Sequence, residues 1–329
     1  MAGKFIRTCS IWRSLEVIGD TSTLLILEAS WLGARRFADL RSRTGILKPL
    51  LSDRLKRLIA ADIFEKRLYS QAPRRFEYHL TKKGRDLYWT SLMMLRWERK
   101  WAPPDGKIEI ILRHKTCGAV FDPVPICCAC RQEVTAREVD WAEGPGVGLM
   151  AATYSRRRRY RDMAADRPAE STLLDHVAQI TGDRWASLVL RSIFTGLRKF
   201  DEICEDTAIA TNILSERLSW LCAIGVLAMH PYSERPARFE YRLTAKGIDY
   251  YSILLMLLQW GDKYYVSPEG PPLLLMHTPC GSELEAIVAC SACQQAVSPA
   301  SVEYDVAETR KAGAQHAQSA PSTASRPHE

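Results

Sequence analysis

The sequence predicts an α+β chain made of two copies of one helix-rich unit, and three observations predict it. The stretch Leu51-Ser52-Asp53-Arg54-Leu55, followed by Arg75-Phe76-Glu77-Tyr78, recurs 163 residues later as Leu214-Ser215-Glu216-Arg217-Leu218 and Arg238-Phe239-Glu240-Tyr241. The same offset carries Gly19-Asp20 onto Gly182-Asp183, Phe37 onto Phe200, Trp97 onto Trp260, and His114 onto His277, with Cys117, Cys127 and Cys130 falling on Cys280, Cys290 and Cys293. No insertion is needed from Gly19 to Cys130, and rare residues held in one register over that length mark a tandem duplication. Within each copy, apolar residues recur at helical spacing, and two short aromatic-rich runs flank a polar turn. At 329 residues the chain is long enough for two cores of ordinary size.

The elements follow in order. Ile11, Leu15 and Ile18 lie at helical spacing, and Gly19 breaks that helix. Asp20 can cap the next helix, Thr21 to about Ser30. Phe37 to Arg41 reads as a short helix, and Thr44-Gly45 turns the chain. Lys48 to Ala60 is the clearest helix, with Leu51, Leu55, Leu58 and Ile59 on one stripe. Phe64 to Tyr69 and Arg75 to Leu80 read as a hairpin closed by Ser70-Gln71-Ala72-Pro73-Arg74. Thr81 then caps a long helix to about Trp101, stopped by Pro103-Pro104, and its counterpart runs from Thr244 to Tyr265. Helices followed by a hairpin and a last long helix are laid out as a winged helix-turn-helix. There the helix after the turn enters the major groove and the hairpin tip reaches the adjacent backbone.

These residues also carry a resemblance. Gly19-Asp20, Arg36-Phe37-Ala38-Asp39-Leu40, Leu51 to Leu58 and Tyr78-His79-Leu80-Thr81-Lys82-Lys83-Gly84 resemble the HxlR-type bacterial transcriptional regulators, as do Gly182-Asp183-Arg184-Trp185, Arg198 to Ile203 and Tyr241 to Gly247. The resemblance covers about residues 9–104 and 172–268. It implies a winged-helix DNA-binding domain that dimerises through its terminal helices. Members are usually single-domain homodimers, so two copies in one chain depart from the pattern. The expected form is either a monomeric pseudo-dimer or a homodimer.

The expected DNA-facing residues are Lys48, Ser52, Asp53, Arg54, Lys56, Arg57, Arg74 and Arg75 in the first copy, and Ser215, Arg217 and Arg238 in the second. On a helical wheel Pro49, Asp53, Lys56 and Arg57 face away from the first core, against Asn212, Glu216, Ser219 and Trp220 in the second. Lys66 and Arg67 of the first wing become Met229 and His230. Phosphate contacts made by cations supply much of the affinity for DNA, so the first half is expected to dominate. A tilt of the helix that put Arg54 and Arg217 in the groove would make the halves equivalent. Net charge points the same way: +10 over residues 1–140 against −5 over 171–329.

Beyond each winged unit, His114-x2-Cys117 precedes Cys127-x2-Cys130, and the second copy repeats the set as His277, Cys280, Cys290 and Cys293. Three thiols and an imidazole are the inventory of a closed tetrahedral zinc site, so up to two structural zinc ions per chain are expected, one in each copy's small ribbon. A metal-free fold with thiols and a redox Cys-x2-Cys pair stay open as alternatives. Cys128 is Ser291 in the second copy and is not expected to be a ligand. Cys9, near Lys4 and Arg7, is a candidate redox sensor, since some regulators of this family use a cysteine close to the N-terminus, although free cysteines are more often small core residues.

The chain therefore divides into a first winged-helix domain (1–104), a first Cys/His ribbon (105–140), a Gly/Arg-rich linker (141–170), a second winged-helix domain (171–268), a second ribbon (269–305) and a disordered tail (306–329). The linker holds the run Arg156 to Arg159, which suits DNA phosphates or plain solvent. No signal segment opens the sequence and no apolar run could span a bilayer, so a reducing cytoplasmic setting with no membrane partner is expected. No catalytic constellation, phosphate loop or dinucleotide fingerprint is present, and no enzyme is expected. The expected function is sequence-specific binding of double-stranded DNA, with a small-molecule or oxidant effector as a further partner. The alternatives are a protein–protein interaction module that no longer reads DNA and a thiol-based sensor that regulates by DNA release.

Overall fold

The computed structural model describes residues 5–103, 109–151, 173–234 and 237–307. In the first half, strand β1 (Phe5–Arg7) leads into helices α1 (Ser10–Ile18), α2 (Thr21–Trp31), α3 (Phe37–Thr44) and α4 (Lys48–Ala60), then the hairpin β2 (Phe64–Gln71) and β3 (Arg74–Leu80), a short helix α5 (Lys82–Arg85) and the long helix α6 (Tyr88–Trp101). The expected cap holds: the Asp20 carboxylate accepts from the Thr23 N–H. Gly45, at φ 63°, ends α3 in the left-handed conformation that glycine adopts without a Cβ clash. Leu51, Leu55 and Leu58 are buried under α4, as their spacing predicts.

The expected single helix from Thr81 is two helices. Thr81 caps α5 through the Gly84 N–H, and a Cβ at Gly84 would lie 2.3 Å from the Ile63 carbonyl oxygen. Close packing of α5 on the start of the wing sets its direction, and α6 begins afresh after Leu87.

The remainder of the first half supplies β4 (Glu109–His114), β5 (Pro123–Cys127), β6 (Val139–Glu143) and β7 (Leu149–Ala151). The second half repeats the plan with α7 (Asp175–Thr181), α8 (Arg184–Phe194), α9 (Phe200–Thr207), α10 (Thr211–Ala223), β8 (Leu227–Glu234), β9 (Ala237–Leu243), α11 (Ala245–Asp249) and α12 (Tyr251–Tyr264). Strands β10 (Leu273–His277), β11 (Ser282–Glu283), β12 (Ala286–Cys290) and β13 (Val302–Ala307) follow.

The two ribbons are not self-contained. β4 pairs with β13, β5 with β12, and β6 with β10, all antiparallel and all between halves. Pro125 lies opposite Val288, its own counterpart at the 163-residue offset, so the β5–β12 pair is centred on a local two-fold relation. The expected boundaries shift accordingly. Val139–Glu143 belongs to the sheet, and a Cβ at Gly144 or Gly146 would lie 2.2 Å from the Pro271 or 2.1 Å from the Gly270 carbonyl oxygen, so these glycines seat the chain against the second half. Val306 and Ala307, expected in the tail, end β13. The arginine run 156–159 and the tail beyond 307 lie outside the described residues.

Helices also cross between the halves. α1 packs along α12, close enough that a Cβ at Gly261 would lie 2.2 Å from the Ser10 carbonyl oxygen. The Trp97 indole donates to the Lys246 carbonyl at 3.0 Å, and its counterpart Trp260 donates to the Lys83 carbonyl at 3.1 Å. One continuous apolar cluster runs from Ile6 to Val302. α2 is buried on all sides within it, its polar Thr21, Ser22, Thr23, Glu28 and Ser30 included.

Candidate functional site

Two features stand out: the outer face of each winged unit, and two Cys/His groups between the halves. On the first unit, Lys48, Lys56 and Arg57 of α4 and Arg74 and Arg75 at the wing turn are exposed. Ser52 and Asp53 are half-buried beside them, and Arg57 pairs with Asp53 at 3.1 Å. Among the described residues, Lys48, Lys56, Arg74 and Arg75 form no ion pair. Arg41 and Arg43 at the end of α3 are exposed too; the helix runs to Thr44, past the expected end at Arg41, and so carries Arg43 as well.

Arg54 and Arg217, expected on the DNA-facing surface, are turned inward. Arg54 Nε bonds Asp20 at 2.9 Å, with 13% of each side chain exposed, and Arg217 pairs with Asp183. Each arginine ties the helix after the turn to the capping aspartate of an earlier helix, and so holds the shape of the unit.

The second unit presents a different face. Ser215 and Glu216 of α10 and Arg238 of the wing are exposed, while Trp220 is half-buried against the core, not turned outward. α9 carries Asp201, Glu202, Glu205 and Asp206 where α3 ends in two arginines. Asp206 accepts from Arg191 at 2.7 Å and pairs with Arg7 from the first half at 3.3 Å.

Cys9 is 5% exposed, and its sulfur accepts from the Trp12 N–H at 3.5 Å as the cap of α1. That burial withholds the accessible thiol a sensor needs, so Cys9 stands as a cap and a core residue.

The eight expected ligands come together, but not within each copy. His114 and Cys117 meet Cys290 and Cys293, and Cys127 and Cys130 meet His277 and Cys280; within each group all ligand atoms lie within 4.8 Å of one another. Cys117 Sγ is 3.9 Å from Cys290 Sγ, and His114 Nδ1 is 3.5 Å from Cys117 Sγ and 3.3 Å from Cys293 Sγ. In the other group, Cys127 Sγ is 4.0 Å from Cys280 Sγ, and His277 Nδ1 is 3.3 Å from Cys130 Sγ and 3.4 Å from Cys280 Sγ. The expectation of one self-contained set per ribbon is corrected by the strand pairing: β5 and β12 run antiparallel through the middle, so each Cys-x2-Cys turn is delivered to the opposite half's His-x2-Cys turn. The second group also holds a low-pKa thiol. The Ser282 N–H, then the His277 ring, bring Cys280 down to about 6, whereas burial pushes Cys290 up in the first group. Cys128 belongs to neither group.

A metal ion fits these residues. Tetrahedral zinc with Zn–S near 2.3 Å and Zn–N near 2.0–2.1 Å sets ligand–ligand edges of about 3.5–3.8 Å. The six edges given above, 3.3 to 4.0 Å, bracket that value, and the remaining edges stay within 4.8 Å. They are far too long for disulfides, whose sulfurs sit about 2 Å apart.

The sequence profile of the HxlR-like helix-turn-helix family matches residues 17–106 and again 180–269. An HTH-type transcriptional regulator of Mycobacterium tuberculosis is 44% identical over 145 residues, which are 44% of this chain and 91% of that protein. The HTH-type transcriptional regulator YodB of Bacillus subtilis is 26% identical over 92 residues, 28% of this chain and 82% of its own length. The solved structure of PA1374 from Pseudomonas aeruginosa is 31% identical and covers 41% of this chain and 89% of its own, with a TM-score of 0.31.

Proposed function

The chain belongs to the HxlR-like helix-turn-helix family of transcriptional regulators, and on that premise we propose that it binds specific DNA sites as a tandem pseudo-dimer whose first half dominates the contact. One observation carries the reading: the helix after the turn and the wing of the first unit both expose cations, Lys48, Lys56 and Arg57 on the helix and Arg74 and Arg75 on the wing. A helix aimed into the major groove, with cations at its flanks and wing, meets phosphates on both sides and neutralises them. On the second unit the matching surface carries Asp201, Glu205 and Glu216, which repel phosphate. Its expected role is to hold register through Ser215 and Arg238 and to position the first. Packed as the two subunits of a dimer would be, the two units suit half-sites about one helical turn, roughly 34 Å, apart.

The two Cys/His groups serve this function as structural zinc sites, up to two per chain. Three thiolates and an imidazole close the coordination sphere, leave no position for a reactive water, and fold a small segment that has little core of its own. No helix among the described residues is long and apolar enough to cross a membrane. The proposed place of action is the cytoplasm, on the ground of the family alone. The test is a footprint on the DNA upstream of the chain's own coding region across a salt series. A protected site whose affinity falls steeply with salt is expected. Absence of a protected site, or binding indifferent to salt, would remove the DNA reading and leave the protein-interaction module.

A further inference from the structure

We propose that each zinc centre is shared between the halves, so that the pair of ions forms a joint which neither half can assemble alone and which fixes the two winged units relative to one another. This rests on reading the Cys/His groups as zinc sites.

The chain's own register compels the crossing. Cys127 ends β5 and faces Ala286 at the start of β12, while Cys290 ends β12 and faces Pro123 at the start of β5. The two knuckles therefore leave the strand pair at opposite ends. His114 ends β4 beside Val302 of β13, and His277 ends β10 beside Val139 of β6. Each histidine is thus placed at the end of the β5–β12 pair where the other half's knuckle emerges. The buried Cys127 and Cys290, each 0% exposed, cannot swing to their own half's histidine without unpairing β5 from β12.

Such a joint acts on long-range order. One centre links Cys117 to Cys290, 173 residues apart, and the other links Cys127 to Cys280, 153 apart. A cross-link that closes a long loop removes more freedom from the unfolded chain than a local one, though the gain grows only slowly with loop length. Binding displaces the thiol protons and leaves each site with three thiolates and one neutral imidazole on a divalent ion. A single half offers a histidine–cysteine turn and a Cys-x2-Cys turn, but directs them to different ions.

Zinc content of paired variants of the full chain tests the joint, with circular dichroism reporting the fold. The unaltered chain is expected to hold two zinc ions. Cys117→Ser with Cys290→Ser removes two ligands of one shared site and should leave one ion, as should Cys127→Ser with Cys280→Ser. Cys117→Ser with Cys127→Ser should leave none. If the sites were self-contained, the last variant would keep one ion and the first two variants none, and the joint would be overturned while the zinc reading stood. No zinc in the unaltered chain, prepared without chelator, would overturn the zinc reading itself. A second measurement needs no variant: after zinc removal and mild oxidation of the full chain, mapped disulfides are expected to join Cys117 to Cys290 and Cys127 to Cys280. Disulfides confined to single halves would overturn the joint even if the variants failed to fold.

Discussion

Arg54 and Lys56 are two residues apart on one helix and do opposite jobs. Lys56 is exposed and forms no ion pair among the described residues, while Arg54 is bonded to Asp20, the cap of α2. Arg54→Ala is therefore expected to cost stability, about 2 kcal/mol for a lost charge-assisted hydrogen bond that leaves a carboxylate partly buried. Its effect on the salt dependence of DNA binding should be slight. Urea unfolding of the full chain and binding at two salt concentrations check this; a flattened salt slope with unchanged stability would place Arg54 on the phosphates instead. Gly261 is a second such residue. A Cβ there would meet the Ser10 carbonyl at 2.2 Å, and both groups are backbone-anchored on packed helices. Gly261→Ala should push α1 from α12 and cost about 1–3 kcal/mol by overpacking, read as a lower unfolding midpoint; an unchanged midpoint would show that α1 does not dock as closely as described. Neither residue's role could be read from periodicity. A helical wheel ranks outward against inward positions, but Asp20 lies 34 residues before Arg54 and Ser10 lies in the other half.

At the scale of elements, the sequence was most legible where one element makes its own case. α4 runs Lys48–Ala60, the span its leucine stripe predicts, and the hairpin follows where the aromatic runs place it. The helix after the turn is also where the two units diverge. Its outer face in the first unit bears Lys56 and Arg57; in the second the matching positions are Ser219, exposed, and Trp220, half-buried in the core. Lys56→Ala with Arg57→Ala should weaken DNA binding at least tenfold at low salt and flatten its salt slope by up to about two phosphate contacts. Ser219→Ala with Trp220→Ala should leave the slope unchanged and act on stability, because truncating Trp220 opens space beside the core. Binding curves at three salt concentrations decide between them, and equal losses of slope in both variants would show that the halves share the phosphates evenly. The ribbons were legible only as a ligand inventory. Identical spacings in both copies satisfy a site within a half and a site between halves equally well, and the choice is made by β5 and β12, whose pairing partners no local pattern specifies.

The whole molecule is two copies that have ceased to be interchangeable. At the 163-residue offset Gly261 corresponds to Glu98, and the two positions face different neighbours. Gly261 admits α1, where Ser14 donates to the Leu257 carbonyl at 2.7 Å. Glu98, 2% exposed, accepts from the N–H groups of His176 and Val177 at 3.2 and 2.8 Å and so caps α7. A carboxylate at a helix N-terminus suits the dipole and the unpaired N–H groups there, but the same side chain in the place of Gly261 would run into the Ser10 carbonyl. The first half therefore cannot replace the second by pairing with itself: its α1 requires a glycine on the facing long helix, and its own long helix offers a glutamate. The ion pair from Arg7 to Asp206 is a further contact that a self-paired first half would lose, since position 43, the counterpart of Asp206, is an arginine. Residues 1–151 produced alone are accordingly expected to stay monomeric and to bind the operator at least tenfold more weakly than the full chain, despite holding the dominant cationic face. Adding residues 173–307 should restore both the assembly and the affinity. Sedimentation and binding curves on the two pieces, singly and mixed, measure this, and a first half that dimerises and binds as tightly as the full chain would show that the divergence at Gly261 and Glu98 does not set which halves can pair.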